Sequence, residues 1–79
     1  MSKLFTIRYD GIERSLERKG NHGNIMEIEL LDPYLISIFG RTILFLGDDP
    51  FLSAGFFSDL SQEEKKLLAE IYKKAIDII

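Results

Sequence analysis

Two short turn sequences constrain this chain more than anything else in it. Tyr9-Asp10-Gly11-Ile12 and Phe39-Gly40-Arg41-Thr42 each stand between alternating or apolar runs. Two-residue loops of this composition suit type I′ and II′ hairpins, which need residues at ease with positive φ. A hairpin turn sets the strand register, and the register decides which side chains reach the core.

For the first hairpin, Tyr9 is expected opposite Ile12, Arg8 opposite Glu13, Ile7 opposite Arg14, Thr6 opposite Ser15 and Phe5 opposite Leu16. Phe5, Ile7, Tyr9, Ile12 and Leu16 then share one face with the stem of Arg14, while an ion pair and a hydroxyl pair take the other. A helix over Ile12–Lys19 competes with this reading, because Ile12 and Leu16 are four apart. The cross-strand match favours the hairpin. Gly20 to Asn24 reads as a loop. Ile25 to Leu31 alternates as a strand with Met26, Ile28 and Leu30 inward and Glu27 and Glu29 outward, and Asp32-Pro33 ends it.

The second turn predicts a hairpin of Leu35–Phe39 with Ile43–Leu46, placing Ile38 opposite Ile43 and Ile36 opposite Phe45. Leu35, Phe39, Leu44 and Leu46 fall on its other side. Strands apolar on both faces are usually covered on both, yet a single long helix follows. Its start, Ser61-Gln62-Glu63-Glu64, has the form of a capping box. Leu67, Leu68, Ile71, Tyr72, Ala75, Ile76 and Ile79 then recur at helical spacing. The fold class expected is α+β over residues 1–79 as one domain: an antiparallel sheet of four or five strands, built from hairpins, with one C-terminal helix across one face.

Candidate chemistry is sparse. The 79 residues include no cysteine and one histidine, so disulfides and thiolate metal sites are excluded. His22 lies between Asn21 and Gly23 with no orienting partner in sequence, and reads as a plain loop residue. Glu27 with Glu29, and Asp48 with Asp49 and Asp32, are carboxylate groupings that could hold a hard cation; they lack calcium-loop spacing and read as a solvated face and a turn. No glycine-rich turn opens a helix, so nucleotide cofactors are not expected. We expect no catalytic residues, no cofactor and no metal.

Net charge is −3, but residues 1–20 carry five basic and three acidic groups and residues 21–79 five and ten. Lys3, Arg8, Arg14, Arg18 and Lys19, with Tyr9, would form a basic stripe were it not interrupted by Glu13 and Glu17. Nucleic acid is therefore not an expected partner. The long helix has a polar face of mixed sign, unlike a membrane-surface helix. No secretory signal is evident near Ser2-Lys3, so a cytoplasmic location is expected.

The segment from Asp48 to Leu60 holds Phe51, Leu52, Phe56 and Phe57, large apolar groups in an apparent connection. These four are the candidate partner-binding residues. The expected function is that of a non-catalytic protein-interaction module, self-associating as a homodimer through an apolar sheet face and the 51–57 loop, or binding another protein. The alternative is a small-ligand or enzyme-accessory domain with a pocket between helix and sheet, lined by Asp48, Asp49 and Tyr72.

Overall fold

The computed structural model describes residues 3–47, 49–52 and 59–78. Five strands, β1 (Lys3–Tyr9), β2 (Ile12–His22), β3 (Ile25–Leu30), β4 (Thr42–Leu46) and β5 (Asp49–Leu52), form one sheet in the order β1-β2-β3-β4-β5. Every neighbouring pair is antiparallel. A short helix, α1 (Pro33–Phe39), lies between β3 and β4, and the long helix α2 (Gln62–Asp77) follows the strands. The expected α+β class, an antiparallel sheet with a C-terminal helix packed against it, is what forms.

The first hairpin has the register read from its turn, from Tyr9 opposite Ile12 to Phe5 opposite Leu16. Asp10 and Gly11 both take positive φ, at 57° and 74°, the backbone that a type I′ turn demands. Residues 12–19 are strand, not helix. The predicted core face holds at Phe5, Ile7 and Leu16, but Ile12 is 52% exposed. β3 pairs with β2 only from Leu16 onward, so Ile12 stands beyond the strand that would have sheltered it. β2 also runs further than expected, through His22, with a register shift between Arg18 and Gly20. The anticipated five-residue loop shrinks to the Gly23-Asn24 turn. β3 alternates as read, with Met26, Ile28 and Leu30 buried.

The second hairpin does not form. Residues 33–39, expected to be largely strand, are helix α1. Asp32 caps the helix, its side chain accepting from the backbone N–H groups of Tyr34 and Leu35. Pro33 fills the first turn, where its missing N–H costs nothing. Gly40, at φ 84°, closes the helix and donates its N–H to the Ile36 carbonyl at 2.8 Å. Ile43 therefore pairs with Ile28 and Leu52, and Phe45 with Met26 and Pro50, not with Ile38 and Ile36. The fifth strand is instead Asp49–Leu52, in the segment read as a connection.

Leu35 and Phe39, four apart on α1, are fully buried beside Leu30, Ile43 and the sheet. The core is a single layer of side chains between the sheet and the two helices. Leu67, Leu68, Ile71 and Ala75 of α2 supply the opposing side, and the Tyr72 ring meets Phe45 with centroids 5.1 Å apart. The expected capping box is present, with Ser61 Oγ accepting from Glu64 N at 3.1 Å and Glu64 Oε1 accepting from Ser61 N at 2.9 Å. Ser61→Ala removes one half of it and is expected to cost about 1 kcal/mol. A denaturant midpoint unchanged by this substitution would show that the box contributes nothing.

Candidate interaction surface

Side chains alternate across the sheet, so the residues not facing the helices form an open face. Cross-strand pairing orders it in rows. Leu4, Glu17, Glu29 and Thr42 make one row; Glu27, Leu44 and Phe51 the next; His22, Ile25, Leu46 and Asp49 the last. Ile25, Leu44, Leu46 and Phe51 are thus adjacent at one corner. Leu44 and Leu46 are 37% and 43% exposed and Phe51 is 55% exposed.

Charge fills the middle of this face. Glu17 and Glu29 lie directly opposite each other, an arrangement that repels unless bridged. The irregularity in β2 brings Lys19 between them, with Nζ 3.8 Å from Glu17 and 3.4 Å from Glu29. His22 Nε2 lies 3.5 Å from Glu27 Oε1. The histidine read as a plain loop residue is therefore the last residue of β2, held beside a carboxylate.

Of the candidate partner residues, Phe51 is on the open face and Leu52, one residue on, is half-buried against the core. Phe56 and Phe57 lie outside the described residues, as does Asp48. Asp49 pairs with Leu46 on the open face, whereas Tyr72 is on the helix side. The pocket expected from Asp49 and Tyr72 together is not assembled. Tyr72 lines a different groove of about 390 Å³, with Arg18, Asn21, Met26, Phe45 and Ile76 among its walls.

The basic residues of the first two strands are largely engaged within the fold. Arg14 is buried under α1, where its guanidinium donates to Asp32 Oδ2 at 3.0 Å and lies 4.4 Å from the centroid of the Tyr34 ring. Its Nε is buried without a hydrogen-bond partner. Asp32 is committed to that arginine and to the helix cap. Arg18 donates to the carbonyls of Ala75 and Ile78 at 2.9 and 2.7 Å, a cation set at the negative end of the α2 dipole. Arg8 sits 3.8 Å from Glu13. The Arg8–Glu13 pair is the one the first turn predicts, whereas the roles of Arg14 and Arg18 are not legible in the sequence, because their partners lie on α1 and at the far end of the chain.

Tyr9 stacks on Tyr34 with centroids 5.9 Å apart. Partial burial raises its phenol above the ordinary value, and Tyr34, Glu63 and Asp10 add to the shift. It is a neutral phenol at physiological pH and no base. Among the described residues, no group of three or more His, Cys, Asp or Glu side chains is placed to hold a metal ion. No described helix is long and apolar enough to cross a membrane.

The fold and this surface define a small α+β domain: a five-stranded antiparallel meander with both described helices on the same face. Set against protein-family models, curated proteins and solved structures, the chain matches none.

Proposed function

We propose that the chain is a small non-catalytic protein-interaction module that self-associates through the open face of its sheet. The observation that carries this reading is the one-sided placement of the helices. It leaves Ile25, Leu44, Leu46 and Phe51 contiguous and uncovered by any described residue. Phe51 leads in sequence into Phe56 and Phe57, which extend the contact in this reading. Phe51, not Leu52, is the anchor, because Leu52 already packs inward.

The face is better suited to contact than the β5 edge. β5 carries Pro50, which has no N–H to offer a further strand, and the charged Asp49. A head-to-tail contact between the basic and acidic parts of successive copies has little support, since Arg14, Arg18 and Lys19 are occupied internally. A two-fold contact between identical apolar corners remains. A cytoplasmic setting belongs to the same proposal, and a cysteine-free chain suits a reducing compartment.

Light scattering across a hundredfold range of concentration tests this. Wild-type protein is expected to shift from monomer to dimer. The Leu44→Ser, Phe51→Ser double variant is expected to dimerise at least about tenfold more weakly, with its melting temperature nearly unchanged. A wild-type protein that stays monomeric throughout would overturn the proposal.

A further inference from the structure

We propose that the open edge of β1 binds an extended peptide, which adds to the sheet as an antiparallel strand and sets a basic side chain in the groove between β1 and α2. This surface lies at the far end of the sheet from the Ile25–Phe51 corner and does not depend on the two-copy contact.

The backbone fixes where the added strand lies. β1 ends the sheet. Its seven residues pair with β2 without a register shift and include no proline, so two of the features that blunt an edge are missing. Ser15, opposite Thr6, gives its carbonyl to the N–H groups of Leu31 and Asp32 on the far side of β2. Thr6 and Ser15 are therefore a non-hydrogen-bonded pair, and alternation makes Leu4–Glu17 and Arg8–Glu13 pairs of the same kind. Leu4, Thr6 and Arg8 thus turn their N–H and C=O groups away from β2. All three residues are exposed, Leu4 at 72%. An antiparallel neighbour exchanges two hydrogen bonds with each of them, about six in all.

The side chains select the peptide. A groove of about 430 Å³ runs beside this edge, walled by Tyr9 and Asp10 from the hairpin and by Glu63, Lys66, Leu67 and Glu70 from α2. No described residue of β2 or α1 lines it, so it opens on the edge side. Side chains alternate across a sheet, and the peptide residue opposite Tyr9 therefore projects into the groove. Tyr9 and Leu67 form a bed for an aliphatic stem. Asp10, Glu63 and Glu70 outnumber the Lys66 ammonium, and Arg8, also at the rim, is turned to Glu13 at 3.8 Å. A lysine fits, with its stem on the ring and its charge among the carboxylates. The next peptide residue stands opposite Arg8 on the open face, where an acid is matched.

Titration with the capped peptide Lys-Glu-Val-Thr-Val-Val, in the register that sets its lysine opposite Tyr9, tests this by amide hydrogen exchange. At saturation the Leu4, Thr6 and Arg8 amides are expected to exchange at least about tenfold more slowly. The Phe5 and Ile7 amides, already within the β1–β2 ladder, should change little. Glu70→Lys, on an exposed part of α2, should weaken binding about fivefold and favour the same peptide with glutamate in place of its lysine. No saturable binding, protection that does not alternate along β1, or equal affinity of both proteins for both peptides would overturn the inference. None of these results touches the two-copy reading, which the Leu44→Ser, Phe51→Ser variant tests separately.

Discussion

Phe39→Ala is expected to lower the melting temperature by about 15–30 °C, the largest effect of any single truncation considered. The ring is fully buried at the end of α1, and emptying such a site costs about 3–5 kcal/mol. Chains of this length have about 4–12 kcal/mol in total, and each kcal/mol moves the midpoint by about 4–8 °C. Leu44→Ala, by contrast, should shift the midpoint by only a few degrees, because Leu44 is on the open face. The pair separates two architectures: a hairpin over residues 35–46 puts Phe39 and Leu44 on one side of the sheet, whereas α1 sends them to opposite sides. Circular-dichroism melts that show equal losses for the two variants would reject the helix.

The second large effect is expected at Arg14. Arg14→Ala leaves the Asp32 carboxylate without its cation and opens a gap under Tyr34, at a cost of about 3 kcal/mol. Arg14→Lys should recover little of it. An ammonium cannot both reach the carboxylate in a fixed fork and lie flat on the ring. Denaturant titration of Arg14→Ala, Asp32→Asn and the double variant measures the coupling. Strictly additive losses would show that the arginine and the aspartate do not act together, despite their 3.0 Å contact.

What could be read in advance follows the range of the interactions. The β1–β2 register, the alternation of β3 and the capping box of α2 are local patterns, each complete within a dozen residues. Residues 33–39 are an unbroken apolar run apart from Ser37, and such a run fits a short strand and a short helix equally. The signal that decides between them was present in Asp32-Pro33, which serves as cap and first turn and not merely as the end of β3. Pro50 hid β5 for a related reason: proline argues against a strand only when both of its edges are paired. The surplus of apolar area was legible, but its owners were not. Leu35 and Phe39 turn inward, and Leu44 and Leu46 keep the outer position.

Arg18 joins β2 to carbonyls 57 and 60 residues further along the sequence, and this has a consequence for how the molecule is made. Each strand pairs with the one synthesised just before it, so the meander can zip up behind the ribosome in order. The part of its oily side that α1 does not cover stays bare until α2 has been translated, and Arg18 waits with it. During that interval the nascent sheet is a sticky, half-finished object that a chaperone would recognise, and a pause ahead of residue 62 would prolong the danger.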